Sequence, residues 1–194
     1  MRHFSDISAT AQRLVDVAQA LIQQHGYNGF SYDDIAREVG IKKPSIHHHF
    51  ATKAELVRIV VQRYAHTFGA LLEQIDARHQ DAGARLLAYA ELFAQTYQNE
   101  RRLCLCGILG AEADALSADV ALEVRGFFQF NLAWLVKTME LGAAAGALRL
   151  RGGAKEQAYA LLAVLEGAML VGRGLGSDGS PAAAGQTYIS NLLA

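Results

Sequence analysis

Apolar residues recur every three or four positions along nearly the whole chain, and no segment alternates apolar with polar side chains long enough for a half-buried strand. A period near 3.6 stacks side chains on one stripe of a helix, whereas a strand needs a period of two. The chain is therefore expected to be all-α. Only two prolines interrupt the pattern in 194 residues, and the abundant Ala, Leu, Gln, Glu and Arg suit helix interiors. With 52% apolar residues the chain can bury a core and is not disordered.

The stripes divide into about nine to ten helices. Residues 10–25 place Ala11, Leu14, Val15, Ala18, Leu21 and Ile22 on one face. Thr10 is expected to cap that helix, and Gly26 tolerates a left-handed conformation beyond its end. Ser31 opens a second helix, Asp34 completes a capping box, and Ile35, Ala36 and Val39 face inward. A long helix is expected from Thr52–Lys53 to about His79, with Tyr64, Phe68, Leu71, Leu72 and Ile75 as its inner stripe. Further helices are expected over residues 83–98, 101–116 (short or bent), 118–145 and 154–172, and a last one ends at Leu193.

The formal net charge of −1 gives no general affinity for polyanions, but its distribution is uneven. Residues 1–66 carry eight Lys/Arg against six Asp/Glu and hold six of the seven histidines. A mildly basic N-terminal segment on an acidic body is a weak pointer to nucleic acid, and non-specific DNA packaging does not fit so neutral a chain. No window of about 18 apolar residues is free of charge, so no membrane span is expected. The opening MRHFSDIS leads into no apolar signal core. Cys104 and Cys106 make no disulfide framework, so a reducing, cytoplasmic location is expected.

The stretch IAREVGIKKPSIHHHF, from Ile35 to Phe50, constrains function most. Successive helical side chains point about 100° apart, so His47, His48 and His49 cannot close on one metal ion. No metal or other cofactor is expected. Gly40 ends one helix, Pro44 stands where a helix begins and its missing N–H costs nothing, and Ile46 and Phe50 resume a four-residue spacing. A short helix from about Lys43 to His49 thus follows the second helix across a turn, which is the helix-turn-helix arrangement. Ala36 lets the helices cross closely, Gly40 takes the turn, and Ile46 plugs the later helix onto the earlier one. Lys43, Ser45, His47 and His48 then point outward, compact enough for a major groove about 12 Å wide. Lys42 and Lys53 would flank that groove and neutralise phosphates.

On these residues the chain resembles the TetR family of bacterial transcriptional regulators. The resemblance runs from Thr10 to about Leu56 and rests on Gly26–Tyr27, Ser31, Ile35–Ala36, Gly40–Ile41, Ser45–Ile46, His49–Phe50 and Lys53–Ala54–Glu55–Leu56. The family more often has an aromatic residue in place of His47 and a small one in place of Pro44, which leaves the preferred half-site open. The resemblance implies a helix-turn-helix domain over residues 1–52 and an effector-binding, dimerising body over 53–194. It also implies a homodimer on a pseudo-palindromic DNA operator, with Ser31 and Lys53 holding the backbone, and a repressor released when a ligand enters the body. The expected DNA-contacting set is Ser31, Lys42, Lys43, Pro44, Ser45, His47, His48, His49 and Lys53.

The body carries more large apolar residues than one bundle core needs. Trp134, Phe127, Leu161, Leu165 and Met169 are candidates for a subunit interface. Tyr64, Phe68, Phe93, Tyr97 and Cys104 could line a cavity for a small, mostly apolar effector. A thiol sensor is the alternative trigger, because Arg101 and Arg102 precede Cys104 and Cys106 and nearby cations favour the thiolate. Residues two apart on a helix diverge, so a bond between these two cysteines is geometrically poor. An enzyme or carrier is the reading from another class. Glu112, Asp114, Asp119 and Glu123 lack a positioned nucleophile, and GRGLGSDG follows a helix rather than a strand, so it makes no dinucleotide loop.

Overall fold

Helix α1 (Ala9–His25) begins at Ser8, which lies in extended backbone and accepts a hydrogen bond from the Ala11 amide at 3.3 Å. Ser8 is therefore the cap, two residues before Thr10, which lies inside the helix. The structure, a computed structural model, describes residues 3–179 and 181–194. After α1 come α2 (Tyr32–Val39), α3 (Lys43–His49), α4 (Lys53–Arg78), α5 (Ala82–Gln98), α6 (Leu105–Ala111), α7 (Ala118–Ala144), α8 (Ala154–Gly174) and α9 (Pro181–Ser190). Short 3-10 helices form at Phe4–Asp6 and Ala113–Ala115. Among the described residues there is no strand, and the all-α expectation holds.

Three local expectations are corrected. Residues 101–116 do not start a helix at once, because Glu100 and Arg101 sit at φ of 57° and 54° and turn the chain before α6. The last helix stops at Ser190, and Leu193 instead pairs with Leu148 in an isolated antiparallel bridge. Gly26 has φ 80° but ψ −179°, positive yet not the left-handed helical cap.

The chain forms two compact units, with α4 and α7 contributing to both. The first contains Met1–Phe68 and Leu105–Phe127. Its core is Leu14, Val15, Ala18 and Ile22 of α1, Ile35 of α2, Ile46 of α3, Phe50, and Leu56, Val57, Ile59, Val60 and Val61 of α4, joined by Leu105 and Leu109. All have lost essentially their whole surface, so dispersion and the hydrophobic effect bind three short N-terminal helices to the start of α4. Tyr64, Phe68 and Phe127 form an aromatic cluster here, with the Phe127 ring 5.4 Å from Tyr64 and 5.3 Å from Phe68.

The second unit contains Gly69–Cys104 and Phe128–Ala194. Helix α9 lies close on α5 and α8 at Gly185, where an added Cβ would stand 2.8 Å from both Ala90 and Leu165. Only glycine permits that approach. A polar seam crosses this core: Tyr89 donates to Asn131 at 3.0 Å, Trp134 stacks on Tyr89 at 5.5 Å, and the Trp134 indole donates to Asp76 at 3.1 Å.

The five residues expected at a subunit interface are not surface residues. Trp134, Phe127, Leu161, Leu165 and Met169 are buried within the single chain. Helix periodicity showed that they were apolar but not which stripe pointed outward. The apolar surface left uncovered at α8 and its end is Tyr159, Leu170, Val171 and Leu175.

Candidate nucleic-acid interface

Each end of the α2–turn–α3 segment is fixed by a specific contact. The Ser31 amide and hydroxyl both donate to Asp34, at 2.8 and 2.7 Å, while Ser31 Oγ accepts from the Asp34 amide, so the expected capping box is present. Hydrogen bonds from Ser31, then from Arg37, hold the Asp34 carboxyl down at about 2. Gly40 terminates α2 at φ 76° and ψ 33°, and its amide and that of Ile41 both reach the Ala36 carbonyl, at 3.0 and 3.1 Å. Space is not the constraint at Gly40, since nothing lies within 4 Å of an added Cβ; the left-handed backbone is. From α1, Arg13 donates to the Val39 carbonyl at 3.2 Å and closes the end of α2.

Helix α3 spans Lys43–His49 with Pro44 in its first turn. Seven residues cannot hold a helix alone. Ile46 and Phe50 anchor it in the core, and the buried Tyr32 hydroxyl donates to the Phe50 carbonyl at 3.0 Å. Burial raises the Tyr32 phenol, then the Glu55 charge does, so it stays a proton donor there. Lys42, Lys43, Pro44, Ser45, His47 and His48 are all exposed on the other side, and His49 is half-buried. Lys43 pairs with Asp33 at 2.8 Å, His47 Nδ1 lies 3.3 Å from the Ala51 carbonyl, and the His48 and His49 rings are 5.5 Å apart. A DNA phosphate or base edge would compete with Asp33 for Lys43, and an exposed pair of this kind yields at a cost of only about 0–1 kcal/mol.

Lys53 is placed differently from the other cations. Its ammonium donates to the Phe30 carbonyl and lies over two rings, 4.1 Å from the centroid of Phe30 and 4.8 Å from that of Tyr27. Partial burial lowers its pKa. It ties the start of α4 to the loop before α2.

One residue of this unit was not legible as part of the interface. Glu112, after α6, accepts hydrogen bonds from the Tyr27 amide, from the Asn28 amide at 3.2 Å and from the Asn28 side chain at 3.1 Å. A Cβ on Gly26 would collide with its carboxylate, so Gly26 serves this strut as well as the turn. In sequence Glu112 is one acidic residue among several, about 85 positions from the loop it holds.

The other candidates fall as follows. Tyr64 and Phe68 belong to the first unit, while Phe93, Tyr97 and Cys104 are buried in the second, where Tyr97 donates to the Ser177 carbonyl at 2.8 Å. Cys104 and Cys106 are both buried free thiols. Arg101 and Arg102, expected to activate them, pair instead with Asp178 and Glu100. Cys104 hydrogen-bonds the Glu166 carboxyl. Among the described residues no cluster of His, Cys, Asp and Glu could hold a metal ion, and no helix is long and apolar enough to cross a membrane.

Residues 14–60 match the family model for bacterial regulatory proteins of the tetR family, which contains the whole α2–turn–α3 segment. A TetR-family transcriptional regulator from Agrobacterium tumefaciens has a crystal structure that superposes with a TM-score of 0.92 at 33% identity, covering 96% of this chain and 98% of that one. Among curated proteins, the chain is 28% identical over 109 residues to the biofilm operon icaADBC HTH-type negative transcriptional regulator IcaR of Staphylococcus epidermidis. It is 31% identical over 81 residues to the HTH-type transcriptional activator FasR of Mycolicibacterium smegmatis. The matched stretch covers 56% of this chain and 57% of the first relative, and 42% of this chain and 37% of the second. Agreement over almost the full length with the Agrobacterium structure extends the likeness from the helix-turn-helix to the whole helical body, and the chain belongs to the TetR family of bacterial transcriptional regulators, which are not enzymes.

Proposed function

We propose that this chain is a homodimeric repressor that binds a pseudo-palindromic operator through α3 and is released when a small, mostly apolar ligand binds the body. The observation that carries the DNA half is the orientation of α3. Ile46 and Phe50 are buried, so Lys43, Ser45, His47 and His48 face solvent on a rigidly seated helix. Lys, Ser and His donors on such a face suit the acceptors of guanine and adenine in the major groove, and the exposed Lys42 and Ser31 are assigned to phosphates.

Dimerisation is supported by the uncovered apolar residues at α8, since a surface patch of this kind is usually covered by a partner. Repression takes support from the negative regulator of Staphylococcus epidermidis, and the activator from Mycolicibacterium smegmatis makes the sign of regulation something to measure. The test is selection of bound duplexes from random DNA by the full-length protein. Two related half-sites in inverted orientation are expected. Enrichment no better than for scrambled competitor would overturn the proposal.

A further inference from the structure

The exposed cations of the α3 segment, Lys42 and Lys43, can only donate hydrogen bonds, and the Ser45 hydroxyl rotates to suit its partner. The imidazole of His47 is held in one sense. Its Nδ1 lies 3.3 Å from the carbonyl of Ala51, four residues on. A carbonyl oxygen has no hydrogen to give, so the hydrogen of this contact sits on Nδ1. A neutral imidazole protonated at Nδ1 keeps a bare lone pair on Nε2.

The ring is fixed in orientation as well. It packs against the ring of Tyr32, with centroids 4.8 Å apart and planes inclined at 60°. Tyr32 is itself buried and tied through its hydroxyl to the Phe50 carbonyl at 3.0 Å. The Ala51 amide donates to Glu55 at 3.0 Å, so the residue that accepts from Nδ1 is also held. Nδ1 is engaged within the chain, and Nε2, on the opposite edge of an exposed side chain, is left for a partner outside it.

We propose that His47 reads DNA as an acceptor, its Nε2 taking a hydrogen bond from an exocyclic amino group in the major groove, N4 of cytosine or N6 of adenine. These amino groups are the hydrogen-bond donors that bases present in that groove. Guanine O6 and N7 and thymine O4 would meet Nε2 lone pair against lone pair, so His47 selects against them as well as for the amine. In this His47 departs from the donors beside it. The assignment deepens, and rests on, the reading of α3 as the base-reading helix.

Two measurements at about pH 8, above the usual imidazole range, test it. Long-range proton–nitrogen correlation spectra of the full-length protein without DNA show which ring nitrogen carries the hydrogen, and His47→Phe identifies the signal. The Nδ1-bound form is expected, and a hydrogen on Nε2 would overturn the assignment. The second measurement titrates the selected operator with the parent and with His47→Phe, which keeps a ring against Tyr32. Each cytosine of one half-site is replaced in turn by pyrimidinone and each adenine by purine, the same bases without their amino groups. At one or two positions the loss of the amine should weaken the parent by about threefold to tenfold and His47→Phe by less than about twofold. The base at which this coupling appears distinguishes cytosine from adenine. No coupling at any amine, or coupling instead to the N7 of guanine when deazaguanine replaces it, would overturn the assignment. An operator selected without amine coupling removes this assignment alone, whereas a chain that selects no operator removes the DNA reading with it.

Discussion

Glu166 and Lys53 are two ionisable residues whose surroundings change their chemistry. Burial raises the Glu166 carboxyl from 4.5 to about 7. The folded state therefore holds this proton more tightly than the unfolded state. The stability of the protonated form is fully present below about 4.5 and is lost as the pH rises towards 7, after which it levels. Glu166→Gln removes the titration. The variant's thermal stability relative to the parent should rise across that window, by on the order of 3 kcal/mol at most. A difference that stays flat from acid to neutral pH would contradict the burial of that carboxyl. Lys53 makes a different kind of contribution. Its ammonium over Phe30 and Tyr27 joins α4 to the loop before α2. Lys53→Ala is expected to cost about 1 kcal/mol in denaturant unfolding and to weaken binding to every DNA sequence alike. A loss confined to one base position would refute that role.

At the scale of elements, the helix-turn-helix is legible in sequence because everything that shapes it is local. Ser31 with Asp34, Gly40, Pro44 and Ile46 lie within sixteen residues, and each acts through its own backbone or its nearest turn. Helix α3 accordingly has the expected bounds. Where the cause is distant or lacks a residue signature, sequence fails. Non-glycine residues at positive φ, Glu100 and Arg101, announce no turn, so α6 starts later than its apolar spacing suggests. The Glu112 strut joins positions too far apart for any period to connect. Glu112→Ala should leave helical content unchanged, raise hydrogen exchange at the Tyr27 and Asn28 amides, and weaken operator binding although no DNA contact is removed. Unaltered exchange at those two amides would show that the strut does not hold the loop.

For the whole molecule, periodicity identified apolar residues in excess of one core but not their direction. Trp134, Phe127, Leu161, Leu165 and Met169 are consumed inside the chain, and Tyr159, Leu170 and Val171 are left over. Burial is decided by which neighbour a stripe meets, and that is a long-range property. The dimer proposal therefore moves to the outer face of α8. Leu170→Glu, at a position that is 63% exposed, should leave the monomer folded and shift sedimentation from dimer to monomer. It should also lower operator affinity, because two half-sites are no longer read together. An unchanged dimer would place the interface elsewhere.

The central claim is that α3 reads bases from its outward face, and base-by-base affinity profiling of the selected operator tests it most directly. Every single-base variant of one half-site is titrated with the parent chain and with Lys43→Ala and His48→Ala. The account predicts that each substitution relaxes discrimination at one or two positions by about 1–3 kcal/mol while leaving the rest of the profile intact. Uniform weakening at all positions, or profiles identical to the parent's, would contradict it.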